Sequence, residues 1–179
     1  MSHINIEIKA KSTNHVHIRE ILKSLNAEFK GIDHQIDTYF KTSQGRLKLR
    51  QGNIENSLIG YKRENQEGPK QSDVFLYNVD PKERTKLKEA LASTLGILVE
   101  VDKKREIYFV DNVKFHLDNV EGLGTFVEIE AIDKDLTIGK ENLLSQCKKY
   151  MELFDIKDSD LISVSYSDLL LEKALSKRK

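Results

Sequence analysis

The sequence contains one cysteine, no apolar run of membrane-spanning length and no excess of charge of either sign. Cys147 alone can form neither an internal disulfide nor a metal site built from several cysteines. No stretch approaches the ~20 apolar residues that a transmembrane helix needs, and the polar N-terminus lacks the cationic and apolar regions of a signal peptide. We therefore expect a reducing, cytoplasmic setting and no membrane partner.

Charged residues are abundant but balanced. Lys and Arg number 29, Asp and Glu also number 29, and the formal net charge at pH 7 is zero. Nonspecific nucleic-acid binding depends on a large positive field, which this balance disfavours. We accordingly expect no nucleic-acid partner, although charges of one sign can still be concentrated within the fold.

The length of 179 residues suits one domain with a sizeable core. We predict a single domain over residues 1–172 and a basic, disordered tail over residues 173–179. Strand patterns mostly follow strand patterns, and helical patterns occur singly between them. This order is typical of an α+β fold with an antiparallel sheet.

Four segments have the apolar spacing or capping residues of helices. The first is predicted over residues 13–29, and the second runs from an N-cap at Asp80 to a terminating glycine at Gly96. The third is predicted over residues 140–154, and a short fourth begins at the serine cap of "SYSDLL". The predicted buried face of the third helix comprises Leu144, Cys147 and Met151.

Several strand patterns have an apolar face and a charged face. In "INIEIKAK", the residues at even positions 4–10 are apolar, and those at odd positions 5–11 are polar or charged. The segments "RLKLR" (46–50) and "VKFHLD" (113–118) alternate in the same way, and the strand pattern over 126–132 places Glu128 and Glu130 on one face and Val127 and Ile129 on the other. The charges are sorted by sign, because those of 46–50 are all cationic on one face and those on the charged face of 126–132 are all anionic.

Such sorted charge favours a binding site, although acidic and basic strands can also neutralise each other as cross-strand pairs. Lys and Arg side chains in number suit a polyanion, and the Arg fork matches phosphate oxygens. Carboxylates among those cations suit a hard divalent metal such as Mg²⁺ or Mn²⁺. Together these groups indicate phosphoryl or nucleotidyl transfer.

The ordered set of motifs resembles the CYTH family, which includes class IV adenylyl cyclases and thiamine triphosphatases. The family opens with E-x-E-x-K, and the corresponding segment here is Asn5-Ile6-Glu7-Ile8-Lys9, with Asn5 in place of the first acid. The match continues through "HQIDTYF", "GRLKLR", "KKREIYFV", "VKFHLDNVEGLGTFVEIE" and "SYSDLL", and it covers essentially the whole chain. The stretch from Lys103 to Glu130 is most similar to the class IV cyclase branch.

The resemblance implies an eight-stranded antiparallel β-barrel with a charged interior, the triphosphate tunnel, and helices packed outside. It implies that Asn5 weakens or changes metal binding, because Asn keeps an oxygen but loses the charge. His116 and Tyr39 could either face the tunnel or fill its wall. The implied triphosphate ligands are Lys9, Lys48, Arg50, Lys103 and Arg105, with one of Lys62 and Arg63. The implied metal ligands are Glu7, Asp118, Glu128 and Glu130, and the implied catalytic group is Glu7, Lys9, Arg105 and Glu128.

The resemblance also implies an enzyme that acts on a nucleoside, thiamine or inorganic triphosphate with Mg²⁺ or Mn²⁺. In a cyclase, the ribose 3′-hydroxyl attacks the α-phosphorus of ATP and expels pyrophosphate. In a triphosphate phosphohydrolase, water attacks the terminal phosphorus. A non-catalytic module that binds polyphosphate or a nucleotide is a third alternative. Dimers occur in the cyclase branch, so a homodimer is a further expectation.

Overall fold

The computed structural model describes residues 4–62, 70–71 and 73–177. These ranges contain four α-helices, α1 (His15–Ser24), α2 (Arg84–Leu95), α3 (Lys140–Leu153) and α4 (Tyr166–Ser176). They also contain nine strand segments: β1 (Ile4–Lys11), β2 (Glu28–Phe40), β3 (Arg46–Gln51), β4 (Asn56–Lys62), β5 (Lys70–Gln71), β6 (Asp73–Asn78), β7 (Ile97–Val110), β8 (Val113–Val120) and β9 (Gly124–Asp133). Among the described helices, none combines the length and apolar character needed to cross a membrane.

The strands form one antiparallel sheet in the order β5-β1-β9-β8-β7-β2-β3-β4-β6. The segments β5 and β6 are one residue apart in sequence, yet β5 pairs with β1 and β6 pairs with β4, at opposite edges of that order. The sheet therefore curls until its two edges approach each other, and β5 and β6 together supply one of eight strand positions. This confirms the predicted α+β class and the curled, barrel-like sheet with helices outside.

The hydrophobic core lies between the outer face of this sheet and the helices. Ile6 and Ile8 of β1 and Phe115 of β8 pack in one buried cluster with Leu22 of α1 and Cys147 of α3. Burying each large apolar side chain contributes about 1.5–3 kcal/mol. Because side chains alternate along a strand, covering this face with helices turns the charged residues of the same strands toward the interior of the curl.

Two helix boundaries differ from the sequence prediction. Helix α1 ends at Ser24 rather than continuing to residue 29, because Asn26 adopts a left-handed conformation with φ 53° and β2 begins at Glu28. Asn tolerates this conformation better than most residues, so the helix ends without a glycine. The predicted N-cap at Asp80 is also wrong. Asp80 forms a turn that accepts hydrogen bonds from the backbone N–H groups of residues 82 and 83, and α2 begins at Arg84.

Other helix predictions are confirmed or displaced by about one residue. Gly96, with φ 78°, ends α2, and Ser165 caps α4 in a reciprocal capping box with Asp168. Helix α3 has nearly the predicted bounds, but its buried residues are Leu143, Cys147 and Tyr150. The predicted buried face was therefore correct at Cys147 only. Leu144 and Met151, the other two residues predicted to be buried, are partly buried.

Candidate functional site

A cavity of about 600 Å³ lies inside the curled sheet. Strand alternation sets its lining, because Glu7 and Lys9 of β1 face it while Ile6 and Ile8 are buried in the outer core. Its charge is nearly balanced among the described lining residues. The cations are Lys9, Lys48, Arg50, Lys103, Arg105 and Lys114, and the acids are Glu7, Asp37, Glu55, Glu128 and Glu130.

Five of the residues expected to bind triphosphate line this one cavity, namely Lys9, Lys48, Arg50, Lys103 and Arg105. Lys62 does not belong to the described lining, and its side chain is exposed. The register of β4 explains this position, because Ile59 and Tyr61 face the cavity and Lys62 follows on the other face. Arg63 lies outside the described residues.

Three of the four expected metal ligands line the cavity, and the fourth is buried behind its wall. Glu7, Glu128 and Glu130 line the cavity, whereas Asp118 is fully buried and does not belong to the described lining. Asp118 instead accepts hydrogen bonds from Arg105 Nε at 2.7 Å and Nη2 at 2.5 Å, and from the Tyr166 hydroxyl at 2.8 Å. Its carboxylate thus orients the guanidinium of Arg105 from behind.

Asp37 joins three of the cavity cations. Its carboxylate accepts from Arg50 Nε at 2.8 Å and Nη2 at 2.9 Å, from Lys103 Nζ at 2.7 Å and from Lys48 Nζ at 3.1 Å. Burial acts to raise the pKa of Asp37, but Arg50, Lys103 and Lys48 together hold it well below its ordinary value. Asp37 is therefore an anion that holds these cations in place around the cavity.

Burial has the opposite effect on one of these partners. It lowers the pKa of Lys103 to about 7, with contributions from the neighbouring cations Arg50, Arg105 and Lys48, although Asp37 acts to raise it. Lys103 is thus an ammonium group that can lose its proton near neutral pH. A polyanion in the cavity would favour the charged form.

Glu128 connects β1, β7 and β8 across the cavity wall. Its carboxylate lies 3.1 Å from Lys9 Nζ and 2.9 Å from Arg105 Nη2, and it also contacts His116 Nδ1 at 2.9 Å. Burial, followed by the charge of Arg105, lowers the pKa of His116 to about 4, so the imidazole is neutral at pH 7. Its Nε2 atom is buried in the cavity wall without a hydrogen-bond partner among the described residues.

The chemistry of Asn5 and its neighbours fits a hard divalent cation. Asn5 Nδ2 donates to Glu130, while Asn5 Oδ1 is buried without a hydrogen-bond partner in the described chain. Burial raises the pKa of Glu130, and the charges of Glu7 and Glu128 act in the same direction. A cation would satisfy the orphan oxygen and relieve this crowding of carboxylates.

These ligands do not form a complete protein site. Within residues 4–62, 70–71 and 73–177, no group of three or more His, Cys, Asp or Glu side chains is placed to hold a metal ion. Mg²⁺ is commonly bound by one or two carboxylates together with water and substrate phosphates. The residues present therefore fit a cation that shares its coordination with a phosphorylated ligand.

Several residues of the cavity were not predicted as site residues from the sequence. Asp37 and Glu55 lie outside the alternating segments from which the charged faces were predicted. Lys114 was visible as a member of the charged face of 113–118, and its Nζ pairs with Glu55 at 2.5 Å. Tyr166 was recognised only as part of a helix, yet Lys9 Nζ lies 4.2 Å from the centre of its ring.

The comparisons with known proteins agree with this architecture. Residues 3–155 match the family profile described as the CYTH domain. A protein of Methanocaldococcus jannaschii, named as a candidate adenylate cyclase, is 27% identical over 178 residues, with 93% of this chain and 98% of that protein covered. The structure of a Pyrococcus horikoshii protein is 27% identical, has a TM-score of 0.71, and aligns over 92% of this chain and 98% of that one.

A more distant structure comes from Hippeastrum, with 16% identity, a TM-score of 0.65, and 96% of this chain and 95% of that one covered. The Hippeastrum protein is described as a candidate adenylyl cyclase with a dominant triphosphatase activity. At this identity the likeness shows the fold alone. The profile match spans most of the chain, and the chain therefore belongs to the CYTH family, whose members are in general divalent-metal-dependent enzymes that act on triphosphates.

Proposed function

We propose that this protein is a divalent-metal-dependent enzyme that acts on a nucleoside triphosphate, and that it converts ATP to cyclic AMP and pyrophosphate. The observation that carries the proposal is the convergence of Lys9, Lys48, Arg50, Lys103 and Arg105 on one cavity. These residues come from β1, β3 and β7, so only the fold brings them together. Lys and Arg donors in this number suit the oxygens of a polyphosphate.

Charge balance supports the metal requirement. Six cations and five acids line the described part of the cavity, so the protein alone offers little net positive charge to a triphosphate. A divalent cation supplies that charge and polarises the phosphoryl oxygens when it is bound. In this proposal Asn5 Oδ1, Glu7, Glu128 and Glu130 hold the cation, and the Lys and Arg side chains orient the phosphates.

The uncharged part of the lining supports an organic triphosphate. Ile54, Ile59, Leu76, Val79 and Pro81 line the same cavity as the cations. Ligand sites usually combine such apolar surface with a few convergent polar groups. An inorganic tripolyphosphate has no apolar group to bury there, whereas the base and ribose of a nucleotide do.

Triphosphate hydrolysis is the second candidate reaction, and the triphosphatase activity ascribed to the Hippeastrum protein favours it. The same cations would bind the substrate in either case. The reactions differ in the nucleophile and in the phosphorus that it attacks: the ribose 3′-hydroxyl at the α-phosphorus in cyclisation, and water at the terminal phosphorus in hydrolysis. The products therefore distinguish them directly.

The test is an assay of the purified protein with ATP, thiamine triphosphate and tripolyphosphate, each with Mg²⁺ and with Mn²⁺. Cyclic AMP with equimolar pyrophosphate supports the proposal, and inorganic phosphate with ADP supports the second candidate. We call the cavity cations Lys9, Lys48, Arg50, Lys103 and Arg105 the clamp. Arg50→Lys tests whether the clamp contributes to triphosphate binding and turnover. Arg19→Ala is the control, because Arg19 pairs with Glu106 away from the cavity lining. Tight binding of the triphosphates without turnover would indicate a binding module. Absence of both binding and turnover would refute the proposal.

A further inference from the structure

Glu55 is an acidic residue inside the cavity that the proposed reaction does not use. Its Oε2 atom accepts hydrogen bonds from Arg50 Nη1 at 3.0 Å and from Gln35 Nε2 at 3.1 Å, and its Oε1 atom accepts one from Lys114 Nζ at 2.5 Å. Burial acts to raise the pKa of Glu55, but Lys114 and Arg50 hold it far below its ordinary value. Glu55 is thus an anion that forms ion pairs with two of the cavity cations, Arg50 and Lys114.

The backbone around Glu55 is fixed by a buried aspartate. The Asp33 carboxylate, which is completely buried, accepts hydrogen bonds from the backbone N–H groups of Asn53 at 2.6 Å, Ile54 at 2.9 Å and Glu55 at 2.9 Å. A Cβ atom on Gly52 would lie 2.6 Å from both Asp33 oxygens, so the turn needs glycine to approach so closely. The turn therefore holds Glu55 in position from the backbone side.

Glu55 also extends the ion pairs around Asp37. Arg50 donates from Nε and Nη2 to Asp37 and from Nη1 to Glu55. The other carboxylate oxygen of Glu55 accepts a hydrogen bond from Lys114. Lys114 is thus the last residue in the series of ion pairs Asp37–Arg50–Glu55–Lys114, and its charge is already paired with the Glu55 carboxylate. A polyphosphate that reached from Arg50 to Lys114 would bring a phosphoryl group against the charge of Glu55.

We propose that Glu55 is a specificity-determining residue that limits the number of phosphoryl groups in the ligand, so that the cavity accepts a triphosphate and disfavours longer chains. This inference rests on the proposed triphosphate function. Like charges a few ångströms apart in a partly buried site repel by kilocalories rather than tenths. Removing the charge of Glu55 should therefore cause a large change in the affinity for a longer polyphosphate relative to that for a triphosphate.

The test compares the Kd of tripolyphosphate with that of tetrapolyphosphate by calorimetry, at one fixed Mg²⁺ concentration. Glu55→Gln keeps the size and a hydrogen-bond acceptor but removes the charge. We expect Glu55→Gln to lower the Kd of tetrapolyphosphate relative to that of tripolyphosphate by on the order of tenfold. Glu106→Gln, which removes the partner of Arg19 away from the cavity lining, should leave the ratio unchanged.

Two further variants keep the result clear if Glu55→Gln folds poorly. Glu55→Asp keeps the charge and should retain most of the preference for the shorter chain. Asp33→Asn weakens the support of the turn and should relax the preference in part. Equal tightening of both ligands in Glu55→Gln would overturn the chain-length inference and leave the triphosphate site standing. Failure of both ligands to bind the wild-type protein would refute the proposed function, and this inference with it.

Discussion

Arg50 and Asp37 face each other across β3 and β2 in a two-point ion pair, with Nε–Oδ1 at 2.8 Å and Nη2–Oδ2 at 2.9 Å. The same carboxylate accepts from Lys48 and Lys103, so three cations share one buried anion. This arrangement lowers the cost of burying the cations and fixes their direction. The clamp is therefore already arranged before a ligand enters, which favours tight binding.

Replacing Arg50 tests the clamp directly. Arg50→Ala should weaken tripolyphosphate binding by about 1.5–3 kcal/mol, the size of hydrogen bonds to a charged group. It should also lower the free energy of unfolding by about 3 kcal/mol, because Asp37 loses its two-point partner. Calorimetry and urea denaturation measure the two effects, and Arg50→Lys should lose less in both. Unchanged affinity in Arg50→Ala would remove this residue from the site.

Replacing Glu128 separates metal binding from phosphate binding. Glu128→Gln removes the charge that faces Lys9 and Arg105. Turnover should collapse, while metal-free binding of tripolyphosphate should persist or tighten, because a repulsive carboxylate has gone. The variant should unfold at lower urea concentration without ligand and recover when tripolyphosphate is added. Full activity at ordinary Mg²⁺ concentrations would contradict the assignment of Glu128 as a metal ligand.

Lys103 makes binding depend on pH. Its pKa of about 7 in the free protein means that the ammonium form declines as the pH rises above 7. A bound polyanion favours the charged form, so the apparent affinity for tripolyphosphate should fall as the pH rises from 7 to 9. Lys103→Arg stays cationic over this range, and its affinity should fall less. Using the same ligand for both proteins cancels the titration of the ligand, and parallel curves would contradict the role of Lys103.

The same titration affects stability, with a definite sign. The pKa of Lys103 is lower in the folded protein than its ordinary value of 10.5, so the unfolded chain binds more protons between pH 7 and 10.5. The free energy of unfolding should therefore rise with pH in this window, by about 2–3 kcal/mol between pH 6 and 9 from this residue alone. Urea denaturation of the wild type and of Lys103→Met, which has no proton to lose, measures the difference. If the gap between their free energies of unfolding is constant from pH 6 to 9, Lys103 does not titrate in this range.

Strand alternation predicted the faces of β1, β3, β8 and β9 because each apolar face must be buried under helices. A one-residue shift in register would expose that whole face, so the charged residues had only one direction left. Alternation thus placed Glu7, Lys9 and Arg50 on the face opposite the helices, whereas the enclosure of that face was implied only by the resemblance to the CYTH family. Asn26 shows the limit for helices, since a left-handed Asn ends α1 without the usual glycine signal.

Asp37 and Glu55 could not be assigned to the cavity in the same way. Asp37 lies in "HQIDTYF", where polar and apolar residues do not alternate cleanly, and its partners come from β3 and β7. Glu55 lies in a turn whose form depends on Asp33, which is 22 residues earlier in the chain. The functional position of both carboxylates is set by tertiary contacts rather than by local pattern. Lys62 faces outward for a related reason, since its side depends on the register of β4.

Asn5 stands where the resemblance to the CYTH family leads us to expect an acid, and Asn5→Glu tests what the asparagine does. In the wild type, Asn5 Nδ2 donates to the carboxylate of Glu130. A glutamate removes that donor and places a second carboxylate beside a group whose pKa is already raised by burial. Without metal, the variant should therefore be less stable than the wild type. With Mg²⁺ or Mn²⁺, the added charged oxygen should raise the metal affinity.

The measurement is the Tm with EDTA and with increasing Mg²⁺, which does not depend on turnover. A tenfold gain in affinity adds up to about 1.4 kcal/mol at saturation, and this corresponds to a further rise in Tm of about 3–6 °C for a chain of this size. Asn5→Asp should show a smaller effect, because its carboxylate reaches less far. Asn119→Glu is the matched control, since Asn119 is exposed on β8. If Asn5→Glu and Asn119→Glu respond equally to Mg²⁺, Asn5 does not face the metal. If the wild type already saturates below millimolar Mg²⁺ and Asn5→Glu turns over more slowly, the asparagine is adapted to its substrate rather than a weakened ligand.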